Sequence, residues 1–258
     1  MGLCSDSQGN LYALDMYNYR VQKFNSAGVF IREWGTYGYG PGQFTWLNGI
    51  CADSHDNIYT IDAGTYFVQK FTSDGTFLAR WGGYGSGPGQ FNGARGIACD
   101  KNDHLFTVEA SNQRIQEFDV NGTYLRGWST NGSWLTAVSN PDGIACDDWG
   151  HVYTPDYNNY CVIKYDNQGN FIRRWGTRGS GPGQIGLLSC GIYVDRRGIC
   201  FLSDYGNKRM YEFNLDGDYL CQWGNTGSHA FGPIDYFALG PNGKIYVGDN
   251  NTIKVFDP

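Results

Sequence analysis

The groups in this 258-residue sequence that could do chemistry are four histidines, eight cysteines and a recurring carboxylate at Asp15, Asp62, Glu109, Asp156, Asp204 and Asp249. Histidines at ligand spacing would suggest zinc, and a histidine beside an acid or nucleophile would suggest proton transfer. His55, His104 and His151 instead fall in short turn segments where equivalent stretches carry Asp or Asn, so they read as solvated turn residues; His229 stands apart. The carboxylate returns once per repeat, which suits capping of a repeated loop better than calcium binding or acid catalysis. No G-x-S-x-G, H-E-x-x-H, P-loop or C-x-x-C occurs. The glycine-rich GSGPGQ stretches lead into strands rather than helices, so they lack the helix N-terminus that cradles phosphate. The expectation is no catalytic residue, no metal and no cofactor.

Cys51, Cys99 and Cys146 sit in the matching stretches GICAD, GIACD and GIACD, and Cys4 sits in GLCSD. A cysteine that alternates with alanine at such positions reads as a small apolar packer. Reduced thiols favour a reducing compartment, and with no visible signal peptide the expectation is cytoplasmic. A disulfide among Cys190, Cys200 and Cys221 stays open. Net charge is −6 with a pI near 5.1, which disfavours a phosphate-coating surface. No apolar run is long enough to span a membrane.

The elements that must position these residues are written as an internal repeat. VQKF at Val21–Phe24 returns as Val68–Phe71, Ile115–Phe118, Val162–Tyr165, Met210–Phe213 and Ile253–Phe256, at spacings of 47, 47, 47, 48 and 43 residues. Trp34, Trp81, Trp128, Trp175 and Trp223 keep the same beat, as do Gly28, Gly75, Gly122, Gly169 and Gly217. Each unit predicts four short strands: the GIACD stretch, an alternating strand such as NIYTID, the VQKF stretch, and an outer strand ending in Trp. Four strands per unit at this period predict an all-β, six-bladed β-propeller. Its blades are expected near residues 2–44, 45–91, 92–135, 136–185, 186–231 and 232–258, as one domain. Each outer-strand Trp is expected to pack against the neighbouring blade. The sixth unit stops after three strands, so either these residues are cut from a longer chain or the blade lacks its outer strand. In both cases Thr252–Phe256 would be an edge able to pair with another strand.

The stretch Gly49–Phe91 resembles an NHL repeat almost from end to end, as does the unit from Gly96 with Glu109, Asn112 and Arg114 in its D/E-x-x-N-x-R element. The G-x-G-P-G-Q-[FI] tail recurs at Gly38–Phe44, Gly85–Phe91 and Gly179–Ile185. The resemblance implies an NHL-type propeller over the whole chain. Such propellers occur in tripartite-motif ubiquitin ligases, bacterial receptor-kinase sensors and a peptide-amidating lyase. The lyase places zinc-binding histidines on inner strands, and no inner strand here carries one. Fold does not fix function, which lives in the site.

Recognition should sit where the repeat is broken. The residue before each inner-strand glycine lines the channel mouth: Met1, Asn48, Arg95, Asp142, Cys190 and Asp235. Arg95 and Asp142 either belong to a site or form a surface pair of little weight. The D-x-x-N-x-R loop is kept in units one, three and five but replaced by Thr65, Tyr66 and Phe67 in unit two and by Asn159, Tyr160 and Cys161 in unit four. Tyr17, Tyr19, Tyr157, Tyr205, Trp46, Tyr236 and Phe237 lie nearby. Clustered Tyr and Trp among Asn and Gly is the composition of binding surfaces, though the same aromatics could pack over the rim of neighbouring blades. The first expectation is a non-catalytic scaffold for a protein or peptide. A carbohydrate comes second, single-stranded RNA as in some tripartite-motif relatives third, and a lyase or hydrolase using Asp142, Asp235 and Arg95 fourth.

Overall fold

A strand that is buried on both faces must lie in a sheet packed between two others. Ile58–Asp62 and Val152–Asp156 are buried at every residue. The computed structural model describes residues 2–132, 137–186, 188–224, 231–232, 234–241, 243–249 and 252–256. They form five antiparallel four-stranded sheets and a sixth of three strands, each ordered as in sequence from the inside outwards. In the second blade these are Leu47–Ala52, Ile58–Asp62, Phe67–Phe71 and Phe77–Gly82. The sixth comprises Ile234–Leu239, Ile245–Asp249 and Thr252–Phe256. The architecture is the six-bladed β-propeller that the repeat predicts.

The inner hairpins of blades one to five are each tied by one aspartate. Asp53 Oδ1 accepts from the backbone N–H of His55 at 2.9 Å and of Asn57 at 2.8 Å, while Oδ2 accepts from the Tyr59 hydroxyl at 2.8 Å. Asp6 and Asp147 repeat this set with Tyr12 and Tyr153. A carboxylate buried this far from water persists because donors surround it. Burial and the bonds to these aspartates raise the phenols of Tyr12, Tyr59 and Tyr153 above their ordinary value.

No blade holds a core of its own. The five buried apolar clusters are each shared by two consecutive blades, from Tyr12, Leu14 and Val21 against Phe44, Leu47 and Phe71 round to Phe201 and Met210 against Ile234 and Val247. At the five joints from blade one round to blade six the outer-strand Trp crosses to the next blade: Trp34 meets Phe71, Trp81 meets Phe118, Trp128 meets Tyr165, Trp175 meets Phe213 and Trp223 meets Phe256. The ring closes as the Ser5 hydroxyl donates to the Leu239 carbonyl at 2.6 Å.

The seven described cysteines are free thiols. Burial pushes Cys161 and Cys200 up to about 12, and raises Cys4, Cys51, Cys99 and Cys146 further.

Trp175→Ala is expected to remove about 3–5 kcal/mol of stability by leaving a cavity between two blades. Leu78→Ala, on an exposed outer strand, should change it by less than about 0.5 kcal/mol; urea unfolding of both variants checks the pair. The thiols also predict alkaline weakening. Below about pH 8.5 both folded and unfolded thiols hold their protons. Above it the unfolded chain releases them while the folded chain does not, so each buried thiol removes about 1.4 kcal/mol per pH unit until its own folded pKa is reached. Urea midpoints should therefore fall from pH 8 to pH 10, and Cys200→Ala should flatten that fall.

Candidate functional site

The loops between second and third strands, and the segments leading from each outer strand to the next blade, gather at one end of the ring. They meet through the carboxylates at the ends of the second strands. Asp62 accepts from the backbone N–H of Thr45 at 2.6 Å, Trp46 at 3.0 Å, Gly64 at 2.8 Å and Thr65 at 2.9 Å. Glu109 accepts from Asn92 N–H, Asn112 and Arg114, Asp156 from Ser139 N–H and Asn159, and Asp204 from Gly186 N–H and Asn207. These carboxylates cap loops, as the repeat implies. Asp249's side chain lies outside the described residues.

Two of the three D-x-x-N-x-R arginines clamp the glycine-rich tails, whereas Arg20 pairs with Asp15 and Glu33. Arg114 donates to Ser86 O at 2.6 Å, Gly87 O at 3.1 Å and Gln90 O at 2.6 Å, with Nε on Glu109 at 2.6 Å. Arg209 holds the carbonyls of Ser180, Gly181 and Gln184 in the same way. In blades one to five the loop residue before the third strand turns left-handed, with φ of 57° at Tyr19, 63° at Tyr66 and 54° at Tyr160. The carbonyls of Tyr19, Tyr66 and Tyr160 sit against the glycine after the outer-strand Trp: a Cβ on Gly82 would lie 2.5 Å from Tyr66 O. Only glycine permits that approach.

Those left-handed tyrosines pack against the second residue beyond that glycine. Tyr19 meets Tyr37 with centroids 4.9 Å apart, Tyr66 meets Tyr84 at 5.0 Å, and the Arg178 guanidinium lies 5.1 Å from the Tyr160 centroid. Tyr37 continues to Tyr39 at 6.4 Å, and the hydrogen bond that the Tyr39 hydroxyl donates to Tyr37 raises the Tyr39 phenol. Tyr37, Tyr39 and Tyr84 are all exposed, and none was expected at the site, because the tails read as turns. The available signal was the loss of repetition inside them: Tyr37, Tyr84 and Arg178 occupy one position.

Between the second and third blades, Trp46, Asn48, Ala63, Gly64, Gly93, Ala94 and Arg95 line a cavity of about 260 Å³. Trp46 is 56% exposed, an unusual state for so large an apolar ring. The Asn48 amide donates to Ala94 O at 2.7 Å, leaving its carbonyl oxygen as the acceptor it can offer. A second cavity of about 70 Å³ at the channel mouth shares Asn48 and Arg95 and adds Asp142 and Tyr236. There Arg95 Nη1 stands 3.9 Å from Asp142 Oδ1. The channel is narrow because inner strands crowd at their glycines; a Cβ on Gly49 would lie 2.9 Å from Ile97 N.

The structure thus brings Trp46, Asn48, Arg95, Asp142 and Tyr236 together. Tyr66, Phe67, Tyr157, Tyr160 and Tyr205 line neither cavity. Phe67 lies under the Arg80 guanidinium at 4.5 Å, and Tyr205 is 39% exposed on its loop. Phe237 is core. Met1, His229 and the side chains of Cys190 and Asp235 lie outside the described residues. His55, His104 and His151 occupy the opposite end, beside Asp103, Glu117 and Asp147. Among the described residues, no cluster of three or more His, Cys, Asp or Glu could hold a metal.

No protein-family model matches the chain, and no curated protein sequence matches it. Solved structures do. A gluconolactonase from Xanthomonas campestris superimposes with a TM-score of 0.72 at 14% identity, covering 98% of this chain and 84% of that one. A catalytically inactive histidine-to-alanine variant of virginiamycin B lyase from Staphylococcus aureus, bound to quinupristin, gives 0.68 at 12% identity, covering 99% and 83%. The WD40 propeller domain of Doa1 gives 0.67 at 12%, covering 99% and 78%. At these identities the likeness shows the propeller fold, and its holders include both enzymes and WD40 propellers.

Arg114→Met is expected to cost about 3–5 kcal/mol, since it strands the buried Glu109 carboxylate. Trp46→Ala should leave stability within about 0.5 kcal/mol of the parent, because the ring packs against little. Thermal or urea unfolding separates the clamp from the exposed site residue.

Proposed function

We propose that the chain is an NHL-type propeller whose loop face binds an extended peptide or a protein segment, with the Trp46 cavity as its anchor point. One observation carries this reading: a largely exposed tryptophan walls a cavity that also offers an arginine and an asparagine. Exposed Tyr17, Tyr37, Tyr39 and Tyr84 extend the aromatic surface around it. A rigid aromatic beside a pocket is the usual core of an interface hot spot, because it buries much area while few rotamers are lost. The cavity is of a size for one side chain rather than a whole small molecule, whose pockets run to about 300–1,000 Å³. Arg95 supplies a donor for a backbone carbonyl or an acidic side chain, with Asp142 holding its far side. Net charge of −6 and that pairing disfavour a nucleic-acid face.

A carbohydrate is the second reading, favoured by the flat Trp46 ring next to the Asn48 amide. A peptide display library selected against the intact protein tests the first. Selected peptides should lose about tenfold or more affinity to Trp46→Ala and to Arg95→Glu. They should keep it against Trp149→Ala, a control at an exposed hairpin on the opposite end. Equal binding by all three variants would count against the loop face, and a glycan-array signal lost with Trp46→Ala would replace the peptide by a sugar.

A further inference from the structure

At the channel mouth two opposite charges stand close together with hydrogen-bonding capacity to offer. Arg95 Nη1 lies 3.9 Å from Asp142 Oδ1, too far for a hydrogen bond, and the two side chains are 44% and 18% exposed. Among the described residues neither side chain makes another polar contact. That sets both apart from their kind in this molecule. Arg32, Arg80, Arg114, Arg197 and Arg209 all donate hydrogen bonds. Asp62 and Asp156 each accept several from backbone N–H groups. Arg95 is thus a donor and Asp142 an acceptor, side by side and both reachable from the mouth.

The pair lines the cavity of about 70 Å³, where the inner-strand glycines Gly49, Gly96 and Gly143 form part of the wall. That is room for about five waters, or for the backbone atoms of a single residue. Asn48 and Arg95 also line the 260 Å³ cavity, whose remaining walls are Trp46 and the small residues Ala63, Gly64, Gly93 and Ala94. The two spaces therefore meet across Asn48 and Arg95. A polar pocket sized for a head group adjoins a less polar one sized for a side chain. Asn48 Oδ1 is the acceptor between them, since the Asn48 amide is committed to Ala94 O.

We propose that this double cavity captures the free amino-terminal residue of a peptide, an inference that rests on the peptide-binding reading above and narrows it. The α-ammonium donates to Asp142, the first carbonyl accepts from Arg95, and the first side chain, aromatic or large and aliphatic, lies against Trp46. Asp142 decides the class of ligand. A carboxy-terminal carboxylate could be held by Arg95, but only with the like charge of Asp142 beside it, which is costly. An internal segment could satisfy Arg95 with a carbonyl, but its amide N–H carries no charge to set against Asp142. The ammonium does, and a charge-assisted hydrogen bond is roughly twice as strong as a neutral one. Capture of a peptide's amino terminus is an established mode of recognition, and the chain's net charge of −6 favours a cationic end.

The test uses the intact protein and synthetic pentapeptides X-Ala-Ser-Ala-Ser with an amidated carboxy terminus. X is Phe, Trp, Leu, Gly or Asp, and each peptide is made with a free and with an acetylated amine. Titration calorimetry should show one free-amine peptide per chain when Phe, Trp or Leu comes first, and acetylation should weaken binding about tenfold or more. Asp142→Asn should melt with the parent and bind the free-amine peptides as weakly as the acetylated ones, so that acetylation no longer matters. Trp46→Ala should erase the preference for Phe over Gly. Equal binding of free and acetylated peptides by the parent, or an acetylation effect that persists in Asp142→Asn, would overturn the amino-terminal assignment and leave peptide binding at the loop face standing. Phenylalanine amide binding as tightly as the Phe pentapeptide would overturn it by making the ligand a free amino acid derivative. If no pentapeptide binds while display-selected peptides still depend on Trp46 and Arg95, the assignment fails alone; if neither kind binds, the peptide reading fails with it.

Discussion

The structure depends on one contact made repeatedly: a tryptophan at the end of an outer strand crossing to the aromatic and the glycine turn of the following blade. A four-stranded sheet standing alone has two apolar faces and no way to bury either. Here every apolar cluster is split between neighbours, so a blade exists only by virtue of the next one. The glycine of the turn is part of the same device, since a side chain at Gly75 or Gly122 would collide with the indole ring.

That arrangement divides the molecule into a constrained end and a permissive one. At the hairpin end, each aspartate is committed to its turn, Asp6, Asp53 and Asp147 also to the tyrosine above them, and the Ser7–Asp56 and Ser54–Asp103 bonds link adjacent blades. At the loop end, a second carboxylate fixes the backbone of each loop but makes few demands on the side chains around it. Asp62 holds the Trp46 backbone N–H and makes no bond to the indole, and this is how a repeated scaffold can carry a cavity between the second and third blades.

The propeller was legible in the sequence because its determinants are local and periodic: the VQKF stretches, the tryptophans and the turn aspartates each report one position per blade. Part of the site was legible too. Asn48, Arg95 and Asp142 stood out because they precede inner-strand glycines and differ from blade to blade. The tyrosines of the tails did not. Tyr37, Tyr39 and Tyr84 are embedded in runs of glycine whose turn-forming role explains the sequence well enough. Their meeting with Tyr19 and Tyr66 depends on a left-handed residue in a loop some eighteen positions earlier, which no local pattern announces. Conversely, Phe67 and Tyr160 stand out by departing from the loop pattern, yet each is engaged by an arginine of the adjoining segments.

The central functional claim is that recognition is anchored at the Trp46 cavity on the loop face. Amide and side-chain NMR mapping with a display-selected peptide tests it most directly. The account predicts the largest shifts at the Trp46 indole N–H, the Arg95 side chain and the amides of Gly64 and Gly93. Shifts confined to the opposite hairpins around Asp56, Asp103 and Trp149, or scattered over the ring without focus on that cavity, would contradict it.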